Sequence, residues 1–461
     1  MTGGQAVTTR WRLVGVLGVM ALLFSACSSG ATSSIAPSVA PSVAPSVAAS
    51  VAAPSEAASP SASAASAAVT ITWWHNANQD PGMSFWKKVA DEYTAAHPNV
   101  TIQITPTQNE DFKTKLPLAL NSGTPPDIFQ SWGGGGLKQQ VDAGKVQDLT
   151  AATSSWTSTI IPAALSPYQL DGKQYGIPYD LGLVGFWYNK DLFTKAGITA
   201  TPTTWDAFIA DVAKLKSAGT APIAVGEKDT WTGAFWWEYL ALRECGKDKM
   251  ATAVNTNSFS DPCFVKAGTD LKQLIDTKPF QDGFLATPAQ TGATSSAGLL
   301  ANGKAAMELM GHWEPGVMGP LTADGKGLGD KLGWFPFPAV TGGTGTVTED
   351  IGGYNGFAVS KDAPPEAVDF LHYLTSVDVL SRWGAAGYGL PTTTGSETSI
   401  TDPNLKELIA QRAKATFVQL YLDQAFSQAV GAAINEAVAG EFAGQLSPAE
   451  VQQAVQTATT K

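Results

Sequence analysis

Hydrophobic and polar positions alternate regularly from Val69 onward. Positions 69–74 are typical of a β-strand, and Phe85, Val89 and Tyr93 then recur at the spacing of one helix face. A second strand is predicted over 100–104, a helix from about residue 110, a short strand over 127–129, and a loop at the glycines of 133–136. This order predicts a mostly parallel sheet with helices on both faces, and ligands bind beyond the carboxyl ends of strands in such folds.

The same alternation restarts near residue 183. Strands are predicted over 183–188, 305–310 and 352–359, and Thr203 and Thr204 precede a helix predicted over 205–217. Further helices are predicted over 365–383 and through most of 404–459. A chain of 461 residues with two such regions predicts an α/β fold of two lobes with a cleft between them and a helical C-terminus.

The first 68 residues have a different pattern. Residues 1–27 read as a secretory signal, because two arginines precede an apolar run that is too short to span a bilayer. The run ends at Cys27, after small residues typical of a bacterial lipobox, so we expect Cys27 to carry a lipid; the alternative is a plain signal with an incidental cysteine. Residues 28–68 contain almost only Ala, Ser, Pro and Val, which predicts a disordered linker.

Two further cysteines, Cys245 and Cys263, fall in the globular part. An exported chain matures where thiols oxidise, so we expect a disulfide between them. Two separate buried thiols are the alternative.

Composition excludes several classes of function. The formal charge of −11 argues against nucleic acid as a partner. The four histidines are dispersed and lack metal-site spacing, so we expect no metal, and we find no phosphate loop or serine-esterase motif and expect no cofactor. A pair of carboxylates for glycoside hydrolysis remains an open alternative among the 40 acidic residues.

One local pattern recurs where strands should end: an aromatic residue stands beside an amide, a hydroxyl, a carboxylate or a glycine. Such positions suit a sugar, whose C–H faces pack on aromatic rings while its hydroxyls require fixed polar partners. These positions lack Arg and Lys, which favours a neutral sugar. Ordinary core packing is the alternative for each tryptophan. The candidate ligand-binding residues are Asn76, Asn78, Trp132, Gly133, Asp180, Trp231, Trp236, Trp313, Tyr354 and Asn355.

Over about residues 69–461 the chain resembles the extracellular solute-binding proteins of ABC importers, in the group that includes maltodextrin and xylo-oligosaccharide binders. The resemblance lies in the segments 122–129, 141–149, 188–193, 202–206, 302–307 and 311–313. It implies a class II periplasmic-binding-protein-like fold, with lobe 1 at 69–179 plus 346–384 and lobe 2 at 180–345 plus 385–461. It also implies stacking roles for Trp132 and Trp313 and places Asn76, Asn78 and Asp180 near the cleft.

The expected function is therefore that of an exported, monomeric lipoprotein on the outer face of the cytoplasmic membrane. It would bind a neutral, β-linked oligosaccharide, deliver it to membrane permease subunits, and touch the membrane only through its lipid. A secreted glycan-active hydrolase and an exported sugar-sensing or adhesion module are the alternatives.

Overall fold

The computed structural model describes residues 67–460, so the predicted signal, Cys27 and most of the predicted linker lie outside the described residues. The strands, numbered in chain order, are β1 Val69–His75, β2 Val100–Pro106, β3 Ile128–Ser131, β4 Gln169–Leu170, β5 Lys173–Gln174, β6 Gly176–Asn189, β7 Ala221–Ala224, β8 Ala305–Gly311, β9 Leu332–Phe335, β10 Glu349–Val359 and β11 Phe417–Leu420.

The α-helices follow the same numbering. They are α1 Gly82–Ala96, α2 Asn109–Asn121, α3 Gly134–Asp142, α4 Thr150–Thr153, α5 Pro162–Leu165, α6 Lys190–Lys195, α7 Trp205–Ser217, α8 Trp231–Thr256, α9 Pro262–Asp276, α10 Ser296–Ala301, α11 Glu314–Met318, α12 Pro365–Leu374, α13 Val377–Ala385, α14 Pro403–Lys414, α15 Leu422–Ala425, α16 Gln428–Phe442 and α17 Pro448–Thr459. None of the described helices is long and apolar enough to cross a membrane.

Nine of the strands form one mixed sheet in the order β2-β1-β3-β10-β6-β8-β7, with β11 beside β10 and β9 beside β6, and β4 pairs with β5 in a separate two-stranded sheet. The pairs β1–β2, β1–β3 and β7–β8 are parallel, as the sequence order predicts. The prediction of a mostly parallel sheet is nevertheless wrong at its centre. There β10 runs antiparallel to both β3 and β6, and β6 runs antiparallel to β8.

Buried hydrophobic residues form two separate cores on this sheet. The first core draws on residues 71–181 and 354–383, and the second core on residues 183–351 and 390–458. The chain passes from one core to the other along β6, along β10 and after α13. These changeovers lie close to the lobe boundaries given above, which themselves stay a prediction.

Local capping explains where several helices begin. The Thr204 side chain accepts a hydrogen bond from the backbone N–H of Ala207, so α7 begins at Trp205 as predicted. The single helix predicted over 365–383 is instead two helices, α12 and α13. They are separated because the side chain of Ser376 caps the N–H of Val379 and starts a new helix there.

The glycine run at 133–136 was predicted as a loop, and this is wrong: α3 begins at Gly134. Gly133 precedes the helix with a φ of 73°, a conformation that favours glycine. A Cβ on Gly135 would collide with the backbone of Phe426, just after α15. The glycines therefore let a helix of the first core approach a segment packed on the second core.

The structure joins Cys245, near the middle of α8, to Cys263 in the first turn of α9, with 5.2 Å between their Cα atoms. The bond ties together two helices of the second core that pack side by side.

Candidate functional site

A cavity of about 230 Å³ lies between the two cores, where the central strands cross from one to the other. It is lined from the first-core side by the loop after β1 and from the second-core side by the segment after β8. Most of the predicted ligand-binding residues meet there. The predicted residues that line this cavity are Asn76, Asn78, Trp132, Asp180, Trp231, Trp313, Tyr354 and Asn355.

Two predicted residues lie elsewhere. Trp236 is fully buried in the second core, with its ring centroid 5.3 Å from that of Phe186, because it faces the sheet from α8 while Trp231 at the start of the helix reaches the cavity. Trp236 is therefore a residue of the second core and does not line the cavity, contrary to the prediction. Gly133 lines a neighbouring cavity that shares Trp132 with the first.

Aromatic rings form the walls. Trp313 projects from the turn after β8 with the ring centroids of Trp231 and Tyr421 both 6.4 Å away. Trp132 projects from the end of β3 and is braced by the edge of Phe112, whose centroid lies 5.8 Å away. Both Trp132 and Trp313 are only half-buried, so their faces are available to a ligand.

The position of Trp313 is fixed by polar neighbours on both sides of it in the chain. His312 is fully buried and its Nε2 lies 2.7 Å from Asp180 Oδ2. Glu314 is also fully buried and lies beside Glu308 on β8. Burial raises the pKa of Glu308 to about 8, and burial together with the neighbouring Glu308 carboxylate raises the pKa of Glu314 well above its usual value. The raised pKa values favour the neutral, protonated form of both carboxyl groups.

Asp180 was predicted to accept hydrogen bonds from ligand hydroxyls, but its carboxylate is already engaged. Oδ2 accepts from His312 and, at 2.9 Å, from Asn355 Nδ2, and Oδ1 accepts from the backbone N–H of Leu390 at 2.7 Å. The residue is 1% exposed. It thus joins β6, β10, the turn after β8 and the segment after α13 at one point between the cores.

Asn355 extends this network into the first core. Its Oδ1 accepts a hydrogen bond of 3.1 Å from Gln130 Nε2, and Gln130 Oε1 accepts one of 3.4 Å from the Tyr179 hydroxyl. The oxygen and one N–H of the Asn355 amide are therefore used within the protein. Asp180 therefore positions the cavity wall instead of offering a free group to a ligand, and Asn355 is held in that wall through its oxygen and one N–H.

Other polar groups at the cavity lack such partners. The indole nitrogens of Trp231 and Trp313, the hydroxyl of Tyr421 and Oε1 of Gln424 are buried without a hydrogen-bond partner among the described residues. Leaving such a group unpaired costs about 1–3 kcal/mol, so a ligand that supplies the partner gains that free energy.

Charged groups also reach the cavity, contrary to the expectation that it lacks Lys. Lys113 lies on α2, with its ammonium 3.6 Å from Glu110 and 3.8 Å from Asp423 across the cleft. Asp80 and Asp180 line the cavity as well, so carboxylates outnumber the single basic side chain among its lining residues. An anionic ligand would therefore be poorly compensated.

Sequence reasoning missed Tyr421, Asp423 and Gln424. They follow directly after β11, so they repeat the pattern of aromatic and polar residues at a strand end. The signal was overlooked because residues 404–459 were expected to be helical, whereas β11 interrupts them. Trp383 and Tyr388, at the end of α13 and just beyond it, were also missed.

Two cores on one mixed sheet, with an aromatic cavity at the crossing strands, define a two-lobed ligand-binding protein. The chain matches the model of the bacterial extracellular solute-binding proteins over residues 76–379, more than half of its length, and it belongs to that family. Its fold is the two-lobed class II solute-binding fold.

Individual relatives agree with this assignment. A solved structure from a study of xylan utilization by the thermophilic bacterium Caldanaerobius polysaccharolyticus is 29% identical, with a TM-score of 0.79, covering 84% of this chain and 99% of the other. The lactose-binding protein of Rhizobium radiobacter is 25% identical over 71% of this chain and 76% of its own. An uncharacterized ABC transporter extracellular-binding protein of Pyrococcus horikoshii is 27% identical over 58% of this chain, which spans about 60% of that relative's length.

Proposed function

We propose that this protein captures a neutral oligosaccharide between its lobes and delivers it to the permease subunits of an ABC importer. One observation carries the proposal: a single cavity combines the half-buried faces of Trp132 and Trp313 with buried hydrogen-bonding groups that have no protein partner. A sugar can contact both kinds of group, because its C–H faces stack on aromatic rings and its hydroxyls both donate and accept hydrogen bonds.

Neutrality follows from the charges of the site. Lys113 is the one basic residue among the residues that line the cavity, and it already faces Glu110 and Asp423. A phosphorylated or carboxylated sugar would therefore add a charge to a surface that is already acidic. Relatives described for lactose and for xylan utilization support a ligand of linked sugar units.

A thermal-shift screen over mono- and oligosaccharides, followed by calorimetry, tests the proposal. A true ligand at 100 times its Kd should add about 2.7 kcal/mol to the free energy of unfolding. A phosphorylated sugar of the same size is the matched control and should give no shift. Release of reducing sugar without stoichiometric binding would instead place the protein among the hydrolases.

We further propose that Cys27 carries a lipid that holds the protein at the outer face of the cytoplasmic membrane, with residues 28–68 as the tether to a monomeric binding unit. Cys27→Ser should release the protein into the medium or leave it unprocessed. Identical fractionation of the two proteins, with no lipid mass on Cys27, would contradict the anchor.

A further inference from the structure

The turn between β7 and α8 brings Trp231 to the cavity. β7 and β8 are parallel neighbours, so their carboxyl ends lie at the same edge of the sheet, and the turns that follow them lead to Trp231 and Trp313. Trp231 is the first residue of α8, and its ring centroid lies 5.4 Å from that of Phe235 and 6.4 Å from that of Trp313. The backbone of the turn therefore sets the position of this ring in the cavity wall.

Thr230, the residue directly before α8, has an unusual backbone conformation, with a φ of 60° and a ψ of −38°. A β-branched residue at positive φ is a steric outlier that persists only where neighbouring contacts hold it. The hydroxyl of Thr230 donates to the carbonyl of Asp229 at 2.8 Å, so it does not cap α8 as a threonine in this place usually does. In the described part of the chain, the other non-glycine residues with positive φ are not β-branched; they are Asp171, Asn257 and Lys278.

The turn is held against a neighbouring chain segment. Asp229 Oδ2 accepts a hydrogen bond of 2.8 Å from the backbone N–H of Ala289. The N–H of Lys228 donates to the carbonyl of Thr287 at 3.1 Å. A Cβ on Gly226 would collide with the backbone of Ala289, so the two segments pack with no side chain between them. The turn is therefore fixed to this segment just before the strained residue.

Both of the segments that these contacts join lead directly into the cavity. Gln290 follows Ala289 and lines the cavity, as Trp231 does on the other side. From these contacts we infer that Asp229 is a positioning residue for ligand binding. It holds Thr230 in a strained conformation, and it thereby fixes Trp231 on one side and Gln290 on the other. The role rests on the proposed function and adds to it a residue that acts on the ligand through its neighbours.

Asp229→Ala tests this role. Without the carboxylate, Thr230 can relax to an ordinary negative φ, and Trp231 moves with it. Affinity for a neutral sugar should then fall about fivefold or more, the loss expected for one misplaced stacking contact. Asp229→Asn removes the same charge but keeps an oxygen towards the N–H of Ala289, so it should bind within about twofold of the wild type.

Asp402→Ala is the matched control. Asp402 is also half-buried, its Oδ1 likewise accepts from a backbone N–H, that of Leu405 at 2.9 Å, and it lines neither this cavity nor its neighbour. Because it caps α14, its replacement should lower the midpoint of thermal unfolding and leave sugar affinity unchanged.

A second substitution separates positioning from direct contact. Asp229 also faces the neighbouring cavity, so a ligand that touched it would lose that contact in every variant without the carboxylate. Glycine adopts positive φ without a steric cost, so adding Thr230→Gly to Asp229→Ala lets the turn keep its place when the clamp is gone. The double variant should regain most of the affinity that Asp229→Ala loses. Thr230→Gly alone should bind like the wild type and raise the midpoint of thermal unfolding without sugar, because it relieves the strain.

Calorimetry measures the affinities, and the probe is whichever of xylobiose, xylotriose, lactose and diacetylchitobiose the wild type binds most tightly. Wild-type affinity in Asp229→Ala, or a double variant that binds no better than Asp229→Ala, would overturn the positioning role and leave the proposed function intact. A lower thermal midpoint for Thr230→Gly would overturn it without any ligand. Failure of the wild type to bind any oligosaccharide of the thermal-shift screen would overturn the proposed function and the positioning role with it.

Discussion

Replacing Asp180 by asparagine tests whether this residue holds the lobes together or binds the ligand. Its carboxylate accepts from His312 and Asn355 through Oδ2 and from the Leu390 N–H through Oδ1. An asparagine can keep one oxygen towards Leu390, but it then presents an NH₂ group to the NH₂ group of Asn355. His312 can adapt by moving its proton to Nδ1, which has no partner among the described residues.

The loss of stability follows from the hydrogen bonds that the substitution removes. One hydrogen bond to a charged group is lost when the half-buried Asn355 Nδ2 loses its acceptor, so Asp180→Asn should lower the free energy of unfolding by about 1.5–3 kcal/mol. Urea unfolding followed by tryptophan fluorescence measures the change, with an unchanged m-value as the sign that the transition is the same.

Asp276→Asn is the control. Asp276 lies on the surface of α9, where it pairs with Lys272 while both side chains remain more than half exposed, so its replacement should cost at most about 1 kcal/mol. The reasoning is refuted if Asp180→Asn unfolds within about 0.5 kcal/mol of the wild type while its sugar affinity falls. That outcome would mean that Asp180 contacts the ligand.

The remaining predictions concern binding, pH and the disulfide. Trp132→Ala and Trp313→Ala should each weaken sugar binding by about 1–3 kcal/mol in calorimetry, since each removes a stacking face; unchanged affinity would show that the ring is only structural. The folded-state pKa of Glu308 is raised from 4.5 to about 8, so its contribution to stability is full below the lower value and is lost as the pH rises through the higher one. The unfolding free energy of the wild type should therefore fall as the pH rises from about 4.5 to about 8. In Glu308→Gln this fall should be smaller, and near pH 8 the variant should be more stable than the wild type. Parallel pH profiles of the two proteins would contradict this prediction. Replacing Cys245 and Cys263 by serine should cost about 3 kcal/mol in urea unfolding, because the bond closes a loop of 18 residues; equal stability, or two free thiols in the exported protein, would speak against the bond.

Much of the fold could be predicted because local signals agree with the tertiary structure. The alternation at 69–74 became β1, and the Thr204 cap fixed the start of α7. The antiparallel centre of the sheet could not be predicted in this way. The sequence of residues 349–359 does not indicate that β10 lies between β3 and β6, because this pairing joins segments that are far apart in the sequence.

The candidate site, too, could be predicted only in part from the sequence. Aromatic and polar residues at strand ends indicated Trp132 and Trp313 correctly as cavity residues. The pattern could not tell a free polar group from an engaged one, so Asp180 and Asn355 were taken for ligand partners although their hydrogen bonds lie within the protein. It also could not separate Trp231 from Trp236, because the two stand on one helix and only its geometry decides which ring reaches the cavity.

The place of β10 in the sheet has a consequence for the order in which the chain can fold. A chain made only as far as residue 345 has β3 and β6 but lacks the strand that lies between them. It also lacks Phe357 and Phe370, which complete the first core. The N-terminal lobe therefore cannot close until the segment 349–383 has been synthesised, by which point residues 183–351 of the second core have already been made.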